Sequence, residues 1–232
     1  MAKLVWDQTG QHVYETGVSQ GVLFLANDTG DGWEDGVAWS GLTSVSESPE
    51  GADEEAFYAD NIKYLSLRGV EDFGGSISAY TYPDAWEECD GTTGLYTDGA
   101  GKYGSAITIG QQARRAFCLV YVTQKGNDVQ GSEYGYIIHI IYNATASPSE
   151  REYTTINDSP EPIEFSWDFS TNPIPVTGRK STSVLKIDST KIAATTAGVA
   201  GLNKIKDKLF GSDNGPATLL TPDEIVDLIT KP

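Results

Sequence analysis

Between Ile163 and Ser170 the chain alternates strictly, with Ile163, Phe165, Trp167 and Phe169 apolar and Glu164, Ser166, Asp168 and Ser170 polar. A period of two is the mark of a strand with one buried and one solvated face. Gly21–Ala26, Val37–Val45, Ile62–Leu67, Ser76–Tyr82, Ser105–Ile109, Phe117–Thr123 and Tyr136–Asn143 also read as strands, several rich in β-branched and aromatic residues. At least eight strands without regular helical insertions predict a mainly β fold. Its expected form is two packed antiparallel sheets, a sandwich or barrel. A chain of 232 residues is long enough to bury such a core without staples.

Helices are expected in three places. Pro83 suits a first helical position, Asp84 and Glu87 favour the positive end of the helix dipole, and Gly91 supplies the stop. Leu202, Ile205 and Leu209 share a face ahead of Gly211. Thr221-Pro-Asp-Glu224 forms a capping box. Ser46–Glu55 combines Ser, Pro and Gly with five carboxylates and no core-forming residue, and is expected to be a long exposed loop, within an acidic stretch running on to residue 60.

Charge divides the chain unevenly. The net charge is −17, and residues 1–90 hold 18 acids against 3 bases. From Arg179 to Phe210 the balance reverses: Arg179, Lys180, Lys186, Lys191, Lys204, Lys206 and Lys208 face only Asp188 and Asp207. Following the Pro-rich Asn172–Val176, this predicts two units. One is a β domain over residues 1–178, with an N-terminal arm over 1–16 and a helix near 83–90. The other is a basic, partly helical C-terminal arm over 179–232. An acidic field of this size disfavours nucleic-acid binding and anionic membrane surfaces, and no apolar run approaches a membrane span or a leader segment.

Motifs for chemistry fail on context. Gly17-Val-Ser19-Gln-Gly21 fits a hydrolase elbow, yet a strand is expected after the serine where that motif needs a helix. His139, among Ile138, Ile140 and Ile141, reads as a sheet residue. Gly101-Lys102 lacks the P-loop partners, since Tyr96 and Tyr103 occupy their places. The acidic Asn27–Asp35 loop has Ala38 where an EF-hand needs its bidentate Glu, and reads as a hairpin tip. Cys89 and Cys118 lack metal-ligand spacing. No catalytic residue, metal site or cofactor is assigned, and the chain is expected not to be an enzyme. Trp33 and Trp39 raise one alternative, a stacking platform on a monomeric carbohydrate-binding sandwich.

Four ordered stretches, Val13–Phe24, Gly36–Leu42, Tyr58–Tyr64 and Ala79–Gly91, resemble the major tail proteins of long-tailed, non-contractile bacteriophages. The resemblance spans roughly Met1–Val176 and only loosely includes the chain beyond Arg179. It implies six subunits closing into a ring, and rings stacking into a hollow tube through which double-stranded DNA passes without specific binding. It also implies tape measure, tail terminator and distal tail proteins as partners, and a virion location after assembly in the host cytoplasm. In that frame the acidic loop, with Ser46, Glu47, Glu50, Asp53, Glu54 and Glu55, is expected to reach a neighbouring ring. The Pro83–Cys89 segment is expected to be the family's flanking helix. The polar face of the 163–170 strand makes Glu164 and Asp168 candidates for the lumen wall, and the seven bases of the arm are expected to pair with an acidic neighbouring subunit.

Overall fold

The computed structural model describes residues 3–51, 54–69, 71–96, 104–156, 158, 160–192 and 194–231. The elements run β1 (Val13–Leu25), β2 (Val37–Trp39), β3 (Leu42–Glu50), β4 (Glu54–Ala59), β5 (Ile62–Arg68) and β6 (Asp72–Ala79). A short helix follows, a 3₁₀ turn over Asp84–Trp86 leading into α1 (Glu87–Asp90), and then β7 (Thr93–Tyr96) and β8 (Ile107–Ile109). Next come β9 (Phe117–Asn127), β10 (Gly131–Ala146), β11 (Phe165–Thr171), β12 (Val184–Asp188), α2 (Thr196–Phe210) and α3 (Pro222–Thr230). The expected mainly β, antiparallel fold with few short helices is what forms. Gly91 ends the first helix at φ 85°, a conformation that favours glycine, and the Thr221–Glu224 capping box opens α3.

One sheet of order β2-β1-β9-β10-β11-β6-β3, with β12 also on β10, makes two layers. The fold-over happens in β10. Residues 137–141 pair with β12 and residues 144–146 with β11, and between them Asn143 takes φ 47° in a bulge. The extra residue shifts the side-chain parity, so Ile141, Ala144 and Ala146 all face one core. That core lies between the layers and gathers Trp39, Trp86 and Trp167, with Trp39 and Trp86 centroids 4.7 Å apart. Gly75 of β6 lets β3 and β11 close in, since a Cβ there would fall 1.9 Å from the Ser46 carbonyl oxygen.

A second core covers the opposite side of the first layer. Val22, Phe24, Val120, Ile138 and Ile140 meet Leu202, Ile205 and Leu209 of α2 and Ile225 of α3. β9 and β10 are therefore buried on both faces, a burial usually found in central strands of layered folds. This corrects the expected division at residue 178. The chain after Arg179 is no separate arm: β12 joins the main sheet and both helices cap it, because the apolar even-numbered face of β9 and β10 requires a cover. Two smaller boundaries also differ. Val37–Val45 is broken at Ser40–Gly41 into β2 and β3, and α2 begins at Thr196, six residues before Leu202.

Removing residues 178–232 should therefore expose the Val22–Ile140 face and give insoluble protein, where a detachable arm would leave a soluble domain. Ile205→Ala should lower unfolding free energy by about 2–5 kcal/mol in urea titration, because Ile205 is fully buried.

Candidate assembly interface

The segment expected to be an acidic loop is built of strands. Ser46 and Glu47 lie in β3, opposite Ser76 and Gly75 of β6, and pairing continues to Glu50 opposite Asp72. Glu54 and Glu55 open β4, whereas Asp53 lies outside the described residues. The loop reading missed that the serines alternate with Val45 and Glu47, placing Ser44, Ser46 and Ser48 outward on an edge strand.

Glu47 points inward and is the polar link between the layers. Its Oε1 accepts from Tyr121 Oη at 2.8 Å, and Lys186 Nζ of β12 lies 2.7 Å from its Oε2. His139 Nδ1 stands 3.5 Å from Oε1, an ion-pair distance rather than a close hydrogen bond. The His139 ring stacks on Tyr121 at 4.6 Å, with its Nε2 2.8 Å from Thr123 Oγ1 and 3.2 Å from Glu15 Oε1. His139, then Lys186 and Tyr121, hold the Glu47 carboxyl down at about 2 against the opposing effect of burial. Burial, and then the Glu47 carboxylate, push the Tyr121 phenol up. Tyr121, His139 and Glu15 were not singled out together from sequence, since only the bulges and register of β1, β9 and β10 bring them into one cluster.

Beyond this link the chain leaves the body as the β4–β5 hairpin. The two strands pair with each other and, among the described residues, with no other strand. Asp60 and Asn61 both take positive φ, 51° and 62°, as the tight turn of a hairpin requires. Phe57 pairs with Leu65, and Leu67 lies next along that face, while Tyr58 projects from the other and Tyr64 sits at the irregularity between the 57–65 and 58–63 pairs. Tyr58 is 73% exposed, Tyr64 68% and Leu67 59%. An isolated two-stranded hairpin is marginal in water, and one carrying this much exposed apolar surface is the candidate contact site.

The remaining candidate residues divide by environment. Asp168 is exposed on β11, beside Ser76 and Ser46, on an outer face shared with Ser44, Ser48, Ser78, Ser166 and Ser170. Glu164 stands at its margin, accepting a hydrogen bond from Thr43 Oγ1. Of the seven bases, Lys186 pairs with Glu47, Lys191 Nζ is 3.7 Å from Asp188, and Lys206 lies over the Tyr136 ring at 5.0 Å. Those three act within the chain. Arg179, Lys180, Lys204 and Lys208 are exposed.

The Trp platform is overturned: Trp39 is 2% exposed, with Nε1 donating to the Thr81 carbonyl at 2.9 Å, and Trp33 packs against the second core. Gly17–Gly21 lies within β1 and leads on to more strand, so the strand-to-helix elbow is not formed there. At the Asn27–Asp35 tip, Asn27 Oδ1 accepts from the Asp31 and Gly32 amides. Arg115 ties this tip to α1 by contacting Glu34 at 2.9 Å, Asp28 at 3.5 Å and Glu88. The Gly101-Lys102 turn lies outside the described residues. Among the described residues no helix is long and apolar enough to cross a membrane.

No protein-family model and no curated protein matches the chain. Among solved structures, a chain from the cryo-EM structure of the anti-feeding prophage (AFP) baseplate, 6-fold symmetrised, aligns over 82% of this chain and 99% of its own length. It does so at 8% identity and a TM-score of 0.30, too low to carry an argument about role.

The Glu47 link yields a pH prediction with a defined sign. A carboxyl whose folded value falls from 4.5 to about 2 stabilises the fold fully above about pH 4.5 and loses that contribution as pH drops toward 2. Glu47→Gln should cost on the order of 2–3 kcal/mol at pH 7, and wild type and variant should converge near pH 2 in denaturant titrations.

Proposed function

We propose that this chain is a structural virion protein, not an enzyme, that self-assembles into stacked rings forming the tail tube of a long-tailed, non-contractile bacteriophage. The observation that carries the reading is the β4–β5 hairpin, whose Phe57, Leu65 and Leu67 face is left exposed by the described residues of the chain. Burial of such a face against another copy supplies an apolar driving force. The four ordered segments that resemble tail proteins support the same reading, and one of them, Tyr58–Tyr64, forms the turn of this hairpin.

A closed ring of six copies is the arrangement expected from the resemblance. Heterologous contacts between identical subunits close into rings when the rotation permits. Each copy brings a charge of −17, so assembly must rest on apolar and backbone contacts, and added salt should favour it by screening that repulsion. Partners in this reading are further copies, the tape measure, terminator and distal tail proteins, and DNA in transit. The site of action is the virion, after assembly in the host cytoplasm. The outer serine face with Asp168 and Glu164 is the proposed lumen wall. Small neutral side chains and two carboxylates per copy would offer phosphates no cation to bind within a Debye length of about 8 Å.

Because Glu50 pairs with Asp72, a short Gly-Ser turn in place of residues 52–70 can join β3 directly to β6. This variant should fold with a near-native melting temperature yet give no stacked rings in negative-stain electron microscopy. Tubes of normal length would overturn the assignment of the hairpin. For the lumen, Glu164→Lys with Asp168→Lys should leave assembly intact and slow DNA ejection at low salt, with partial recovery at high salt. Wild-type ejection kinetics from intact double-variant particles would sink that placement.

A further inference from the structure

The hairpin needs a receiving surface, and the chain carries a complementary one on its opposite charge half. From Glu50 through Asp72 the sequence holds seven acids and two bases, and all the acids but Asp60 lie at the root of the hairpin, so that root is acidic beside the apolar face. At the join of α2 and α3 lies an open groove of about 400 Å³. Pro216 and Leu228 give it an apolar part, Lys204 and Lys208 line it from α2, and Asp207 is the one acid among the described residues lining it.

Two features suit this groove to a protein edge. Lys204 and Lys208 sit four residues apart on one helix, so their ammonium groups are neighbours. Neither has an ion-pair partner within the chain among the described residues, unlike Lys186 and Lys191. The supporting wall is firm: α2 is anchored by Ile205 and Leu209 in the second core, and a Cβ on Gly201 would fall 2.4 Å from the Leu228 carbonyl, so the helices touch backbone to backbone. The Thr177 hydroxyl donates to Asp223 at 2.7 Å, which brings the turn carrying Arg179 and Lys180 to the start of α3.

We propose that the β4–β5 hairpin of one copy docks on the α2–α3 groove of another. Glu55, which shares the Phe57 face, meets Lys204 and Lys208, and the Phe57, Leu65 and Leu67 face covers Pro216 and Leu228. The inference rests on the assembly reading above and specifies its contact. The area is adequate: three to six large side chains of this exposure bury several hundred Å², near the ~800 Å² per partner of a standard interface once the hairpin's backbone and charged flanks are included. The contact is head-to-tail, since hairpin and groove are different surfaces, and it can propagate from copy to copy. Charge complementarity fixes orientation while the apolar face supplies the driving force.

Charge reversal in both partners tests the contact. Lys204→Glu with Lys208→Glu should leave the melting temperature and circular dichroism unchanged, because both side chains are exposed, yet raise the protein concentration needed for assembly roughly tenfold or more. Adding Glu55→Lys to the same chain should restore assembly in large part. Independently, Glu55→Cys with Lys208→Cys should give disulfide-linked oligomers under mild oxidation, while either cysteine alone should not give the same ladder. Assembly of the lysine variant at the wild-type concentration, or failure of the combined reversal to restore it in folded protein, overturns the docking while leaving the tube reading intact. Absence of rings and tubes from wild-type protein overturns both.

Discussion

Everything in this molecule hangs on β9 and β10 being apolar on both faces. Phe117, Leu119 and Tyr121 turn to one side, and Cys118, Val120 and Val122 to the other, so neither side of the central sheet can be left to water. The fold answers with two different covers. On one side the sheet doubles back through the Asn143 bulge and lays β11, β6 and β3 over the tryptophan core. On the other, two short helices close the second core. The three-layer body follows from that double requirement, and the C-terminal helices belong to the domain for the same reason.

The charged link at Glu47 occupies the place where a folded-over sheet is weakest, between an edge strand and the opposite layer. A buried carboxylate is costly unless paired. Here two full partners, Tyr121 and Lys186, and a nearby His139 make it favourable to hold β3 against β9, β10 and β12. β3 is also the strand that precedes the β4–β5 hairpin in the chain, so the link holds the last body strand before it.

The proposed association would draw on the exposed apolar face of the β4–β5 hairpin. The same chain exposes lysines on α2 that have no ion-pair partner among the described residues, and the acids of residues 1–90 and the bases of 179–210 give identical subunits two unlike surfaces. A self-complementary patch would give dimers, whereas unlike surfaces give rings or open chains. This distinction connects the charge asymmetry of the chain to the kind of assembly proposed for it.

The strands and helix caps were legible because they are set by local rules: alternation placed the polar and apolar faces of β11, Gly91 ended the short helix, and Thr221 with Glu224 started α3. Composition misled where a local rule had two outcomes. Ser46–Glu55 has the residues of a loop, but β6 offered a hydrogen-bonding edge and Gly75 the space to use it. The basic segment after Arg179 has the charge of a free arm, but its Leu202, Ile205 and Leu209 stripe found an uncovered sheet face. Trp39 looked available for stacking until the second layer closed over it. The Glu47, Tyr121 and His139 cluster was out of reach for the same reason, since its members come from three strands and meet only when bulges fix their register. Sequence determined which segments could be strands and helices, because those preferences act over a few residues; the tertiary structure alone decided which faces remained exposed, because burial depends on what the rest of the chain brings to cover them.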